Sequence, residues 1–310
     1  MAALEIQGLE KSYPVGFWRK TLKPALQPLH LAVEEGETFG FLGPNGAGKT
    51  TTLKLLMGII FPTAGTARIL GRDFHDPEVK KQIGFLPEQP YFYDYLSATE
   101  LLDYYAQLSG VSADDRRKRI PALLERVGLA DAGNKQLRKF SKGMLQRVGI
   151  AQAIVHDPRI VFLDEPMSGL DPIGRREMRE LIQGLKDEGK TVFFSTHILS
   201  DAEALCDRVA VIHKGELRGI GVVEALKSAS ADQVEVIWHG ANALPAVSGL
   251  LKESRITGDT VRATASTSNA DLLLEKLRQQ HARLISFTPV HGALEDYFLA
   301  HTSDREAVKA

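Results

Sequence analysis

Residues Gly43–Thr50 read GPNGAGKT and match the pattern G-x-x-x-x-G-K-[ST] of a phosphate-binding loop. Immediately before them, Thr38–Leu42 (TFGFL) is an apolar run that predicts a buried strand. Immediately after them, Thr50–Met57 carries leucine and methionine side chains along one side and predicts a helix. The order strand, loop, helix therefore predicts a site that holds a nucleoside triphosphate.

The residue types of this loop suit the oxygens of a triphosphate. Glycines let the backbone approach the phosphates with its N–H groups turned inward, and the start of the helix adds partial positive charge. Lys49 places a full charge beside the β and γ oxygens, and Thr50 supplies a hydroxyl for Mg²⁺. The predicted nucleotide ligands of the loop are Gly43, Pro44, Asn45, Gly46, Ala47, Gly48, Lys49, Thr50 and Thr51.

Composition narrows the class of protein. With 310 residues the chain is long enough for one large and one small domain. Its 38 basic and 39 acidic residues leave a net charge of −1, so no nucleic-acid partner is predicted. Cys206 is the one cysteine, which suits a reducing cytoplasm, and no run approaches the roughly 20 apolar residues that cross a bilayer. Any membrane role is therefore expected to depend on a partner.

Strand-like and helical segments alternate over residues 3–211, which predicts an α/β domain with helices on a mostly parallel sheet. Besides the strand before the loop, the predicted strands are Leu4–Gln7, Leu29–Val33, Ile160–Leu163, Thr191–Phe194 and Arg208–Ile212. Over residues 97–156 the strand signal disappears, and helical patterns such as Thr99–Leu108 and Ile120–Val127 predict an inserted helical subdomain. The first domain is predicted to span residues 1–224.

A second change of composition comes at Ser228–Ala231, a stretch of small residues that predicts a linker. The predicted elements after it are strand Val234–Trp238, helix Ala243–Lys252, strands Arg255–Thr257 and Thr260–Thr264, helix Ala270–His281, strand Arg283–Phe287 and helix Ala293–Ala300. The first six have the order β-α-β-β-α-β, which predicts a small α+β ferredoxin-like accessory domain at residues 232–302, with a tail at 303–310.

Two carboxylates end another apolar strand. The segment Arg159–Glu165 (RIVFLDE) places Asp164 and Glu165 where neighbouring strands would bring them opposite the phosphate-binding loop, and it looks like a Walker B motif. In that interpretation Asp164 holds Mg²⁺, and Glu165 is the catalytic carboxylate that orients and polarises the attacking water. The alternative is a strand end that carries two acids by chance.

Three further segments follow the same order as in the ATP-binding cassette (ABC) family, which the chain resembles from about Leu4 to Gly221. They are Phe140–Arg147 (FSKGMLQR), which looks like the family signature, Ser168–Asp171 (SGLD), which looks like its D-loop, and Ser195–His197 (STH), which looks like its switch histidine. The segments Gly84–Glu88, Tyr91–Tyr95 and Phe140–Met144 look most like ATP-binding subunits of bacterial ABC type 2 exporters. The resemblance implies the P-loop cassette fold and ATP hydrolysis, with ATP and Mg²⁺ as cofactors.

The resemblance also implies roles for single residues. Ser141 and Gly143 would contact the γ-phosphate, and His197 would be a catalytic residue whose hydrogen bond exists only while that phosphate is present. Tyr13 would stack on adenine, and Asp171 would reach across a dimer. Each has a simpler alternative: Tyr13 as packing on a sheet edge, His197 as an ordinary strand-end histidine, and Asp171 as a helix cap.

Two departures from the family pattern leave alternatives open. Lys142 in the signature either adds positive charge near the phosphate or is a solvated lysine at a helix start. Glu88, with Gln89 beside it, stands where the family usually has its Q-loop glutamine. A carboxylate near a triphosphate is unfavourable unless a cation or a proton intervenes. Either Glu88 binds nucleotide and metal-bound water, or Gln89 takes that role.

One copy of each motif is present, whereas the family's composite site joins the loop of one cassette to the signature of another. The resemblance therefore implies a dimer, predicted to be a homodimer, in which ATP joins Lys49 and His197 of one chain to Ser141 and Gly143 of the second. It further implies separate transmembrane permease subunits and a cytoplasmic, peripheral location on the cytoplasmic face of the inner or plasma membrane. The aromatic segment Pro90–Leu96 is predicted to contact the membrane subunit, and the alternative is packing in the chain's own core.

The predicted function is the ATP-binding and ATP-hydrolysing subunit of an ABC transporter, with export implied by the resemblance alone. The alternative is a soluble, non-transport ABC ATPase that acts as a mechanochemical or regulatory factor. Translation-type cassettes of that class usually carry two copies in one chain, and chromosome-maintenance ATPases contain a long coiled coil for which the segment between Thr50 and Ser141 leaves no room. The sequence does not indicate the transported substrate or the role of the C-terminal domain.

Overall fold

The computed structural model describes residues 2–16, 21–229, 233–290 and 294–302, and its contacts divide the chain into two units, Met1–Ile220 and Gly221–Ala310. In chain order the elements up to the boundary are β1 (Ala2–Val15), β2 (Thr21–Glu34), β3 (Thr38–Leu42), α1 (Lys49–Leu56), β4 (Ala64–Ile69), β5 (Arg72–Asp73), α2 (Pro77–Lys80), β6 (Ile83–Leu86), α3 (Ala98–Leu108), α4 (Ala113–Arg126), α5 (Lys142–Ile154), β7 (Ile160–Asp164), α6 (Pro172–Asp187), β8 (Thr191–Thr196), α7 (Leu199–Leu205), β9 (Arg208–His213) and β10 (Glu216–Val222). Among the described residues, no helix is both long and apolar enough to span a bilayer.

A six-stranded sheet in the order β10-β9-β3-β8-β7-β6 forms the centre of the first unit. The pairing from β9 through β3, β8 and β7 to β6 is parallel. Every residue of β3, β7 and β8 is buried, and the rings of Phe39 and Phe162 each lie 5.6 Å from that of Phe193. Continuous apolar runs of this kind are typical of parallel strands covered on both faces. The predicted parallel sheet is confirmed, and the carboxyl ends of these strands lie along one edge.

A second sheet of the first unit has the order β2-β1-β4-β5 and is antiparallel. Its strands β1 and β2 are 14 residues each, much longer than the predicted strands Leu4–Gln7 and Leu29–Val33. Register shifts between Ile6 and Leu9 and between Leu9 and Lys11 interrupt the alternation of buried and exposed side chains. A search for period-two alternation therefore finds only the regular parts of this hairpin.

Helices α3, α4 and α5 lie between β6 and β7, in the segment predicted to be helical. A capping box starts α3, because Ser97 and Glu100 each accept a hydrogen bond from the other's backbone N–H group. Ser112 caps α4, which begins at Ala113 and is longer than the predicted Ile120–Val127. The three helices share an apolar core that includes Ala98, Leu101, Leu102, Ala106, Leu124, Val148 and Ala151. The limits of this subdomain and of the first domain stay predictions.

The second unit contains a four-stranded antiparallel sheet. Its elements are α8 (Val223–Ala229), β11 (Gln233–His239), α9 (Leu244–Val247), β12 (Leu251–Thr257), β13 (Thr260–Ser266), α10 (Ala270–Gln279), β14 (Arg283–Val290) and α11 (Leu294–Thr302). From β11 to β14 the element order is β-α-β-β-α-β, and the strand order in the sheet is β12-β13-β11-β14. The ferredoxin-like designation and the limits 232–302 stay predictions.

The helix predicted at Ala243–Lys252 is wrong over most of its length. α9 has only four residues and is flanked by 3₁₀ turns, and Leu251 and Lys252 already belong to β12. The second turn contains Gly249, which is a poor helix former. The spacing of apolar residues alone predicts a continuous helix here, because that spacing takes no account of a glycine between the apolar positions.

The linker predicted at Ser228–Ala231 is wrong for Ser228 and Ala229, which end α8. Serine and alanine are compatible with a helix, so small residues alone do not identify a linker. Residues 230 and 231 lie outside the described residues, and so do Ala293 and the predicted tail 303–310.

Candidate active site

Four predicted site residues follow the ends of parallel strands at one edge of the six-stranded sheet. Lys49 begins α1 after the loop that follows β3, Asp164 ends β7 with Glu165 next in the chain, and His197 comes directly after β8. Neighbouring parallel strands point the same way, so the residues that follow them gather at one edge. The topology therefore assembles the site from segments far apart in sequence.

The loop Gly43–Thr50 leads from β3 into α1 along a path that needs glycine. A Cβ atom on Gly43 would lie 2.5 Å from the carbonyl oxygen of Ile212. At Gly48, where φ is +113°, a Cβ atom would lie 2.9 Å from the carbonyl oxygen of Ala25. Glycine permits both the close approach and the positive φ. The loop therefore leads directly into the N-terminus of α1, where backbone N–H groups attract anions.

Lys49 is buried, and three oxygens hold its ammonium group. Its Nζ donates hydrogen bonds to the carbonyl oxygens of Gly43 at 2.7 Å and Pro44 at 3.3 Å, and lies 3.0 Å from Oε1 of Glu165. The second carboxylate oxygen of Glu165 accepts a hydrogen bond from Nδ1 of His197 at 2.9 Å. One buried carboxylate thus joins the lysine of the phosphate-binding loop to the predicted switch histidine.

Asp164 is buried, and its Oδ1 accepts hydrogen bonds from two hydroxyl groups. Ser195 donates at 2.6 Å and Thr50 at 3.3 Å. The pKa of the Asp164 carboxyl is raised, chiefly by burial; the two hydroxyl groups lower it, and the negative charges of Glu88 and Glu165 raise it further. This carboxylate therefore lies where a nearby positive charge would stabilise it.

The oxygens at Asp164 and Thr50 fit a Mg²⁺ ion that arrives with a nucleotide. A hydroxyl and a carboxylate are hard oxygen ligands, and they lie within 3.3 Å of each other. In the part of the chain that the structure describes, no cluster of three or more His, Cys, Asp or Glu side chains could hold a metal ion. Mg²⁺ is commonly held by one or two protein ligands and completed by phosphates and water, which matches this donor set.

A pocket of about 240 Å³ opens at this edge of the sheet. It is lined by Ala25, Asn45, Gly46, Gly48, Lys49, Thr50, Thr51, Glu88 and Glu165. Glu88 faces this pocket, whereas the Oε1 atom of Gln89 accepts a hydrogen bond from the hydroxyl of Tyr91 at 3.2 Å. Of the two candidates for the Q-loop role, the geometry favours Glu88.

Tyr13 lies on β1 beside Lys11, whose Nζ is 5.1 Å from the centre of its ring. The side chain is 38% exposed and is not among the residues that line the pocket. Its stacking on adenine stays a prediction.

A second pocket, of about 440 Å³, shares no lining residue with the first. It is lined by the signature residues Ser141 and Gly143 and by the D-loop residue Asp171, among others. Ser141 caps α5, where its Oγ accepts a hydrogen bond from the N–H of Met144 at 3.3 Å. Asp171 caps α6, where its Oδ1 accepts from the N–H of Gly174 at 2.7 Å. The capping role of Asp171 is therefore confirmed, and within one chain the signature and the phosphate-binding loop line separate pockets.

Lys142 also lines the second pocket, and its side chain crosses the D-loop. A Cβ atom on Gly169 would lie 2.2 Å from Nζ of Lys142, and the φ of Gly169 is +71°. Glycine at this position therefore allows the positive φ of the turn and leaves space for the Lys142 side chain. The ammonium group lies close to Gly169, and its action on a phosphate stays a prediction.

Two contributors to the site have no predicted role. Ala25 lines the nucleotide pocket from β2, and nothing in its residue type indicates this. Ser195 hydrogen-bonds Asp164, and its signal is a hydroxyl directly after the apolar residues VFF and two positions before His197.

Known proteins resemble the chain in sequence and in structure. A family model described as ABC transporter matches residues 26–168. The chain is 44% identical over 325 residues to the uncharacterized ABC transporter ATP-binding protein sll0415 of Synechocystis, over 97% of this chain and 85% of that one. It is 46% identical over 192 residues to the bacitracin transport ATP-binding protein BcrA of Bacillus licheniformis, over 61% and 62% of the two chains. Among solved structures, the cassette MJ0796, described as a dimer in a post-hydrolysis state bound to ADP and Pi, gives a TM-score of 0.65 at 27% identity over 71% of this chain and 98% of that one.

These comparisons agree with the site at the sheet edge. The matched region includes the phosphate-binding loop, the signature and the carboxylates Asp164 and Glu165. The relation to sll0415 extends over nearly the whole chain, including the second unit. The chain therefore belongs to the ABC transporter family, as one of its ATP-binding and ATP-hydrolysing subunits.

Proposed function

We propose that the chain is the ATPase of an ABC exporter, and that it works as a pair of identical copies attached to separate membrane subunits. The observation that carries the dimer is the division of the nucleotide machinery. Lys49 and Glu165 line one pocket, and Ser141 and Gly143 line another that shares no residue with it. A second copy could present its signature pocket to the first copy's phosphate-binding loop and so complete the site.

In this proposal Lys49 binds the β and γ phosphates of ATP, and Thr50 and Asp164 would hold Mg²⁺, which would neutralise charge on the phosphates. Glu165 accepts a hydrogen bond from a water molecule and orients it in line with the γ-phosphorus. The water oxygen attacks that phosphorus and its proton passes to the Glu165 carboxylate, while the bond to the oxygen shared with the β-phosphate breaks and ADP leaves with the electron pair of that bond. His197, already within hydrogen-bond distance of Glu165, donates to the γ-phosphate.

The same γ-phosphate would link the two copies. Ser141 and Gly143 of the second copy would donate to it from the start of α5, where the helix favours negative charge. Loss of the γ-phosphate removes these shared contacts and favours separation of the copies. The dimer described for MJ0796 with ADP and Pi supports this arrangement.

Transport is supported by relatives whose names describe transport, such as BcrA for bacitracin, and export by the resemblance of the motifs to type 2 exporters. The aromatic segment Pro90–Leu96 supports a membrane partner. Tyr91 is 89% exposed, and Tyr93 and Tyr95 are also exposed, so most of these rings do not pack in the chain's own core. Phe92 and Leu96 are the members of the segment that pack against the helical core. We expect the pair to sit on the cytoplasmic face of the membrane, where this surface would meet the membrane subunit.

The dimer is tested by Glu165→Gln, which keeps the size of the side chain but removes the carboxylate that orients water. With ATP and Mg²⁺ the variant should not turn over and should accumulate as a dimer in size-exclusion chromatography with light scattering. The double variant Glu165→Gln/Ser141→Ala is the control, because it lacks the hydroxyl that would reach the second copy, and it should form less dimer. A Glu165→Gln protein that hydrolyses ATP at the wild-type rate would remove Glu165 from its proposed role.

The membrane partner is tested by Tyr91→Ala/Tyr95→Ala. Membrane proteins recovered with the tagged chain should be lost with this variant, while ATP binding is kept. Phe61→Ala is the matched control, because Phe61 is also an exposed ring, at 70%, and lies outside the segment. If the wild-type chain recovers no membrane protein, the non-transport ATPase is the better assignment.

A further inference from the structure

Ser195 contacts the carboxylate of Asp164 and the backbone N–H of Glu165. It lies on β8 with Phe41 opposite it on β3 and Asp164 opposite it on β7, and its side chain is fully buried. Its Oγ donates a hydrogen bond to Oδ1 of Asp164 at 2.6 Å and accepts one from the backbone N–H of Glu165 at 3.1 Å. We propose that Ser195 is a positioning residue that fixes Asp164 and Glu165 relative to each other for ATP hydrolysis.

The position of the hydroxyl supports this role. All six residues of β8 are buried, and an unpaired hydroxyl in such surroundings is destabilising. At Ser195 the donor capacity and one acceptor site of the hydroxyl are both used, and both partners belong to the active site. Thr191 on the same strand differs, because its Oγ1 accepts a hydrogen bond from the N–H of Gly36, away from the carboxylates.

The backbone of Glu165 supplies a second argument. Its φ is +49°, a left-handed conformation that residues other than glycine rarely adopt and that is often found at functional sites. The N–H of Glu165 points at Ser195, with the carbonyl oxygen at 3.2 Å and Oγ at 3.1 Å. Ser195 therefore supports the turn that directs the Glu165 carboxylate between Lys49 and His197.

These contacts form one chain of hydrogen bonds, from Thr50 to Asp164, then to Ser195, then to the backbone of Glu165. Removing the Ser195 hydroxyl would take one of the two hydrogen bonds from the Asp164 oxygen that faces Thr50, and one of the two that the N–H of Glu165 makes to Ser195. Lys49, which would bind the triphosphate, is not part of this chain of hydrogen bonds. The turnover number should therefore change much more than the affinity for ATP.

The experiment uses the full chain with three variants at one position. Ser195→Ala should lower kcat about 10- to 100-fold, the effect of losing a hydrogen bond to a charged group. It should also raise the Mg²⁺ concentration that gives half-maximal activity, while the Kd for ATP stays near the wild-type value. Ser195→Cys nearly preserves the side-chain volume but offers only a weak donor, so kcat should fall in the same way. Ser195→Thr keeps the hydroxyl and should restore most of the activity.

Thr191→Ala is the matched control, because it removes another buried hydroxyl from β8 without touching either carboxylate. It should keep the wild-type kcat and Mg²⁺ dependence. The proposal is overturned if Ser195→Cys keeps the wild-type kcat, or if Thr191→Ala lowers kcat as much as Ser195→Ala. Should Ser195→Ala fail to fold, the difference between the Cys and Thr variants decides the question.

Discussion

Replacing Arg179 by methionine tests how firmly α6 is anchored to α7. Arg179 on α6 donates hydrogen bonds from Nε at 3.0 Å and Nη2 at 2.5 Å to Oδ1 of Asp201 on α7. The Asp201 side chain is fully buried, and Oδ2 has no hydrogen-bond partner among the described residues. The pair matters for the site because α6 begins just after Asp171 and α7 just after His197.

The size of the effect follows from burial. A buried carboxylate that loses its partner is destabilised by about 3–5 kcal/mol. The Arg179 side chain is 35% exposed, so water can reach part of the space it leaves, and we expect Arg179→Met to lower the free energy of unfolding by about 2–3 kcal/mol. The double variant Arg179→Met/Asp201→Leu removes the buried charge as well and should recover most of that loss.

Urea unfolding followed by circular dichroism measures both variants on the full chain. Arg176→Met is the matched control, because Arg176 lies on the same helix and pairs with Glu180 at 2.9 Å on the surface, where side chains are 81% and 65% exposed. Its loss should change stability by less than about 0.5 kcal/mol. The reasoning fails if Arg179→Met is as mild as Arg176→Met, or if the double variant is no more stable than Arg179→Met alone.

Three further outcomes are expected. Glu88→Gln should retain ATPase activity in a coupled assay, because it removes one of two charges that raise the pKa of Asp164; complete loss of activity would mean that the carboxylate itself is needed. Gly84→Ala should strongly lower the midpoint of thermal unfolding, because its Cβ atom would lie 2.2 Å from the carbonyl oxygen of Ala153. Gly249→Ala is the control and should leave the midpoint unchanged, because a Cβ atom there would have no neighbour within 4 Å. A chain cut after Lys227 should bind ATP with unchanged Kd, because all nucleotide-pocket residues lie between 25 and 165; lost binding would contradict this.

The parts of the site that follow parallel strands could be predicted from sequence. One apolar run ends at Asp164 and another ends before His197. Because the strands they form are parallel to β3, both residues lie at the same sheet edge as the loop before Lys49. The cap at Asp171 could also be anticipated, because an aspartate before a proline-initiated helix satisfies local backbone groups. Such features depend on local sequence and on one rule of topology.

Other features depend on packing that no local pattern encodes. Arg179 and Asp201 are 22 positions apart, and their pairing requires that the facing sides of two helices meet. The contact of Ser195 with Asp164 depends on the register between β7 and β8, which the sequence leaves undetermined. Choosing Glu88 over Gln89 likewise needs the direction of each side chain, because the two residues are adjacent and their side chains have the same length.

The separation of the two pockets within one chain has a genetic consequence. In the proposed pair of identical copies, suppose that one copy carries Lys49→Met and the other Ser141→Ala. The mixed pair then has one site with both defects and one with neither, whereas each parent pair has a defect in both sites. Two inactive alleles of this kind should complement each other, because their mixed pair has one intact site. An allele that carries both changes should form no intact site when it pairs with a wild-type copy, because each site of that pair contains one of the two defects. Whether a mixed pair is active would thus depend on which chain carries each defect, and not on how many defects the pair contains.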